Sequence, residues 1–124
     1  MATGMHHVHI KAKDPRKTAK WWIDMFGAKP LNEREVRGAL FVPVEIGGLT
    51  INISSPRPEE ADDMGPSDPT IHYGLEHVGL SVDDLDSQVS KFEAQGLKVY
   101  ERSGNMAFVE GADGVRIELI QPSQ

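Results

Sequence analysis

One pattern in this chain is written twice, and it limits the folds open to it more than any other feature. Residues 6–14 read HHVHIKAKD and residues 76–84 read EHVGLSVDD. Aligning His7 with His77 also aligns Val8 with Val78, Ile10 with Leu80, Ala12 with Val82 and Asp14 with Asp84. Matches at every second position are strand periodicity, with the apolar residues on one face and both histidines on the other. A second pair follows: residues 48–56 read GLTINISSP and residues 114–122 read GVRIELIQP, which sets Asn52 against Glu118. Each is flanked by apolar residues, Ile51 and Ile53 or Ile117 and Leu119, and so points away from them. A repeat about half the chain long means two modules rather than a solenoid.

Length and composition narrow the setting. At 124 residues the chain is of single-domain size, so the modules are expected to act as one domain over 1–124. Cysteine is absent, which removes disulfides, thiolate chemistry and cysteine-type zinc sites. The formal net charge of −6 argues against nucleic acid or an anionic membrane surface as partner. No apolar run approaches the roughly 20 residues of a membrane span, and the opening residues lack the apolar core of a signal peptide. A cytoplasmic protein is expected. Lys13, Arg16, Lys17 and Lys20 read as a solvated helix face.

In chain order, Asp14-Pro15 is a helix start, with Asp as the cap and Pro at the first helical position. The helix is predicted to run to Phe26, with Ala19, Trp22, Ile23 and Phe26 as its apolar stripe and Gly27 as its left-handed stop. The second module repeats this with Asp84 as cap, Leu85, Val89 and Phe92 inward, and Gly96 as stop. Strands are predicted over 29–35, 38–45 and 49–54, then over 98–101, 106–110 and 115–121, eight in all with the two repeat strands. Module one covers 5–55 and module two 75–122. Residues 56–74 form a Pro-, Asp- and Glu-rich linker without apolar period, ending near His72 and Tyr73. Each module is therefore strand, helix, three strands.

Neutral imidazole is the commonest metal ligand, and a carboxylate supplies anionic oxygen. Packing asks for apolar residues. A repeat that instead keeps histidine at both strand heads and an oxygen-bearing side chain on both last strands points to a metal site. With His7 and Asp14, HVGLSVDD from His77 and DGVRIELI from Asp113, the chain resembles the vicinal oxygen chelate superfamily of glyoxalase I, methylmalonyl-CoA epimerase, extradiol dioxygenases, fosfomycin-resistance enzymes and bleomycin-resistance proteins. The resemblance covers essentially the whole chain. It implies an α+β fold of two tandem βαβββ modules forming an open cup-shaped sheet. It also implies one divalent metal ion per site, held by His7, His77 and Glu118, with Asn52 on the fourth ligand position.

That fourth position departs from the glutamate of glyoxalase I and the glutamine of the epimerase, because Asn52 is neutral and shorter. If its oxygen reaches, one carboxylate on a divalent ion leaves a charge near +1 and a stronger Lewis acid. If it does not, two histidines and a carboxylate form the open face used for iron and dioxygen. Strand phase adds the other cup-facing residues. His9 and Lys11 stand beside His7, Thr50 and Ser54 beside Asn52, and Arg116 beside Glu118. Lys11, Thr50, Ser54 and Arg116, with His72 and Tyr73 of the linker, are the candidate substrate contacts, and two cations on this face favour an anionic or hydroxylated small molecule. His9, whose pKa lies near working pH, or a displaced ligand such as Glu118, is the candidate proton carrier.

The expected function is a metal-dependent lyase or isomerase that chelates adjacent oxygens of a substrate and stabilises an enolate-like intermediate. An Fe(II) extradiol-type dioxygenase using His9, His72 or Tyr73 is the alternative, and a non-catalytic binding or resistance protein the second. Zinc, nickel, cobalt, manganese and iron are all compatible with these ligands. Open sheet edges in so small a chain favour a homodimer, with sites closed within one chain or shared between two.

Overall fold

The computed structural model describes residues 2–123 and divides into two compact units, 1–65 and 66–124. Both are built on the same α+β plan, a mixed sheet with one helix packed on it. In the first unit β1 (His7–Lys11) leads into α1 (Pro15–Phe26), followed by β2 (Lys29–Pro30), β3 (Arg34–Val36), β4 (Ala39–Phe41), β5 (Val44–Ile46) and β6 (Leu49–Ser54). The second runs β7 (Val78–Ser81), α2 (Leu85–Ala94), β8 (Val99–Ser103), β9 (Met106–Glu110) and β10 (Arg116–Ile120).

The helices start where the caps dictate. Asp14 accepts a hydrogen bond from the Lys17 amide at 3.2 Å, and Asp84 accepts one from the Ser87 amide at 3.1 Å. At the other end of α1 the chain turns left-handed at Gly27, whose N–H reaches the Ile23 carbonyl at 2.9 Å. The buried stripe of α1 is Pro15, Thr18, Ala19, Trp22 and Met25, whereas Ile23 and Phe26, expected inward, are only half-buried. In α2 the expected Leu85, Val89 and Phe92 are the buried residues. Each unit has its own core. In the first, where α1 packs on β5 and β6, Trp22, Val44, Ile51 and Ile53 are buried; in the second, where α2 packs on β8 and β9, the buried residues include Phe92, Ala107, Val109, Ile117 and Leu119. Truncating either aromatic to alanine costs roughly 3–5 kcal/mol by loss of burial and the cavity left behind.

The strand that ends each unit is central to its sheet. In the first unit β1 lies parallel to β6, with His7 opposite Thr50, His9 opposite Asn52 and Lys11 opposite Ser54. The second unit copies this arrangement, with β7 parallel to β10, Val78 opposite Ile117 and Gly79 opposite Glu118. Two expected strands of the first module are each divided, giving ten strands rather than eight. Phe41 pairs with Ser54 and Val44 with Ile51, so 39–46 keep one register across the gap where Pro43 offers no amide. On the other strand the register slips by one residue between the Pro30–Val44 and Arg34–Phe41 pairs. Residues 56–74 are not wholly irregular either, since Pro58–Asp63 form a 3₁₀ turn. Among the described residues no helix is long and apolar enough to cross a membrane.

Candidate metal and substrate site

In the second unit the strand-head histidine and the last-strand carboxylate come together. His77 Nε2 lies 3.2 Å from Glu118 Oε1, both side chains half-buried. The parallel register that sets Glu118 beside Gly79 produces this diagonal approach, and the absence of a side chain at Gly79 leaves room for it. A Cβ at position 79 would stand 3.9 Å from Glu118 Oε1, so alanine would fit and a long side chain would crowd the carboxylate. The span also suits a metal, because two neighbouring ligands each ~2.1 Å from an ion stand about this far apart. Phe108 sits opposite Glu118 on β9 and turns its ring edgewise to His77 at 5.1 Å, forming an apolar flank.

The other ring nitrogen of His77 is also engaged. Nδ1 lies 2.9 Å from Glu76 Oε1, and the same oxygen is 3.4 Å from Arg116 Nε. The bond from His77 holds the Glu76 carboxyl below its usual range, against partial burial, with Arg116 adding to the effect. Arg116, which strand phase sets on the face of Glu118, is not solvated. It is buried, with its guanidinium 4.5 Å from the Phe108 ring and 5.1 Å from the Tyr100 ring, and one N–H donated to the Pro69 carbonyl at 3.2 Å. Tyr100 stands at a register shift between Val99 and Glu101, and its hydroxyl bonds Glu110. Burial and that carboxylate push the phenol up to about 12.

The first unit presents the equivalent positions with different chemistry. His7 is exposed, and its Nδ1 lies 2.9 Å from His6 Nδ1. Asn52 is buried and stands across from His9, the position that glycine holds in the other unit. Asn52, Thr50, His6 and Arg34 share the lining of a cavity of about 330 Å³. His9 bonds Ser54 Oγ through Nε2 at 2.7 Å and packs against Phe41 at 5.3 Å. Burial and the adjoining Lys11 depress its pKa, which keeps the ring neutral at physiological pH. Lys11 pairs with Glu60 of the 3₁₀ turn, and that contact, with help from Arg57, brings the Glu60 carboxyl down to about 2. The two cations expected to receive a substrate, Lys11 and Arg116, are thus both engaged by carboxylates of the chain itself.

The linker candidates differ from one another. His72 donates from Nδ1 to the Thr70 carbonyl (2.7 Å) and from Nε2 to the Leu75 carbonyl (3.0 Å), and these bonds raise its pKa. It closes a loop. Tyr73 is fully exposed beside Ile71 and Leu75. Two residues on the site side went unseen in the sequence, Arg34, stacked on Phe41 at 4.9 Å, and Glu76, while Glu45, the acid on the neighbouring strand whose phase the sequence leaves open, stands opposite Thr50. The Val-Glu pair at 44–45 recurs at 109–110, where Glu110 stands opposite Arg116, and was the one available signal for Glu45.

Each unit carries two of the four expected donors, His7 with Asn52 and His77 with Glu118. Among the described residues no three His, Asp or Glu side chains gather into a group able to hold an ion.

Known proteins share this architecture. The chain is 28% identical over 130 residues to a probable lactoylglutathione lyase of Synechocystis sp., covering 94% of each. It is 28% identical over 149 residues to glyoxalase I of Saccharomyces cerevisiae, covering 97% of this chain but 45% of that protein, so it spans less than half the yeast enzyme. The fosfomycin resistance protein FosX of Listeria monocytogenes superposes with a TM-score of 0.74 at 20% identity, over 99% of this chain and 94% of the other, which speaks to fold alone. The family model described as Glyoxalase/Bleomycin resistance protein/Dioxygenase superfamily matches residues 4–119, and with that span this chain belongs to the family.

Proposed function

We propose that this chain is a metal-dependent lyase or isomerase of the glyoxalase type, acting on a small molecule with adjacent oxygens by moving a proton next to a carbonyl. The observation that carries the reading is the 3.2 Å approach of His77 Nε2 to Glu118 Oε1, in a register repeated by β1 and β6. His7, His77 and Glu118 are assigned as ligands, with Asn52 at the edge of the set. A divalent ion held by these residues would supply Lewis acidity towards the substrate oxygens. His9 is the proton carrier: in the tautomer that donates Nε2–H to Ser54 Oγ, its Nδ1 lone pair would take the proton. Thr50, Arg34 and Asn52 offer hydroxyl, guanidinium and amide groups to a polar substrate in the cavity they line. The relatives named glyoxalase I and probable lactoylglutathione lyase favour the lyase branch.

Each module supplies half of the ligand set, and we assign the protein as a homodimer in which complementary halves of two copies close each site. The test of function is a metal-loaded activity screen over 2-oxo aldehydes offered with glutathione, acyl thioesters and catechols, alongside elemental analysis of protein purified without added metal. Turnover of a 2-oxo aldehyde adduct or a thioester with nickel, cobalt, manganese or zinc supports the reading. Catechol cleavage with iron would replace it with the dioxygenase, and tight ligand binding without metal or turnover would replace it with a binding protein.

A further inference from the structure

A histidine that ligates a metal through one ring nitrogen needs the other nitrogen protonated, and a partner for that proton fixes both the tautomer and the ring angle. We propose that Glu76 is the positioning residue for His77, holding Nδ1–H so that Nε2 keeps its lone pair towards Glu118; this rests on His77 being a ligand as proposed above. The geometry is direct. Glu76 Oε1 is 2.9 Å from Nδ1, and Nε2 of the same ring is 3.2 Å from Glu118. A neutral imidazole carries a single N–H and can satisfy only one of the two carboxylates. If Glu76 takes it, Nε2 and Glu118 Oε1 are both left as electron-pair donors facing one point, which is what a cation requires.

Adjacent residues in a strand point to opposite faces, so the side chain before a ligand cannot ordinarily reach it. Here β7 begins at Val78, leaving residues 76 and 77 outside the ladder, and Glu76 folds back. Its carboxylate is itself anchored. Arg116 stands 3.4 Å away, buried between the faces of Phe108 and Tyr100 and tethered to the Pro69 carbonyl. The first module has the same device in weaker form, His6 reaching Nδ1 of His7 at 2.9 Å across an exposed surface. That the residue before each strand-head histidine meets its Nδ1 in both modules points to a role beyond charge balance for Arg116.

The experiment is a chelator-competition titration of Zn²⁺ with the full chain, its Glu76→Ala, Glu76→Gln and His77→Ala variants, combined with ¹⁵N NMR of the His77 ring in metal-free protein. Glu76→Ala should weaken Zn²⁺ binding by up to roughly 100-fold and Glu76→Gln by roughly tenfold, the range known for such outer partners. The parent should show His77 protonated at Nδ1, and Glu76→Ala should move the proton to Nε2, towards Glu118. A purely structural Glu76 would leave the tautomer where it was. Unchanged Zn²⁺ affinity in Glu76→Gln, or an unchanged tautomer in folded Glu76→Ala, overturns the inference. Full retention of Zn²⁺ by His77→Ala overturns the ligand assignment instead, and the tautomer shift then decides by itself whether Glu76 sets the ring.

Discussion

The two units follow one plan of strands and caps, yet the position across from the last-strand donor separates them. In the second unit Gly79 leaves space opposite Glu118, and the carboxylate leans over to within 3.2 Å of His77. In the first His9 occupies that position opposite Asn52, bonded to Ser54 and packed on Phe41. An anionic donor thus goes with an empty neighbour, and a short neutral donor with an imidazole. On the proposed reading, one half would hold charge against a cation, while the other would offer an acid–base group beside its cavity. A repeat in sequence therefore need not mean a repeat in chemistry.

Substituting at these matched positions tests the division. Because His9 is assigned the proton, His9→Ala should lower kcat by roughly 10²- to 10⁴-fold with little change in metal affinity, whereas Gly79→Ala at the equivalent position should leave both near the parent values. Equal losses in steady-state kinetics would erase the distinction. Placing the first unit's residue in the second, as Gly79→His, should push Glu118 off His77 and weaken Zn²⁺ binding by roughly tenfold, the scale of a disturbed metal shell, read by the same titration. Asn52→Gln lengthens the arm at the edge of its reach and should tighten Zn²⁺ binding or leave it unchanged. A large loss would show that Asn52 already fits and that the longer amide clashes.

The smallest effect concerns His72, whose two N–H donations to Thr70 and Leu75 require the protonated ring. Its folded pKa is raised by those bonds, with Asp68 and Glu76 as the carboxylates facing it. The contribution to stability is therefore fully present below the unfolded value near 6.5 and fades as pH rises through the folded pKa. Denaturation midpoints of parent and His72→Ala should converge between mildly acidic and alkaline pH. A difference that grows with pH would contradict the assignment.

The repeat carried the strand–helix–strand order, both caps and the inward face of α2, with part of that of α1, because those depend on local spacing that a linear sequence displays. What stayed hidden depends on register and on strand limits. Arg116 has the phase of a site-facing residue, and only the Tyr100 register shift and the placement of Phe108 turn that position into a buried aromatic clamp. Glu76 lies one residue from His77, and alternation would send it to the other face had β7 started earlier. Glu45 could not be phased, since the turns after the two Val-Glu pairs differ in length and the match shows only in the ladders. Lys11 reads as an open cation until the 3₁₀ turn delivers Glu60 to it.

The division into two half-sets of ligands is tested most directly by mixing His7→Ala protein with Glu118→Ala protein and counting bound metal after verified subunit exchange. Each variant alone spoils every site. If complementary halves of two copies close one site, each hybrid dimer regains one intact site and binds one equivalent of Zn²⁺. No recovery in exchanged hybrids would contradict sharing between copies, and a full equivalent retained by either variant alone would contradict the ligand assignment itself.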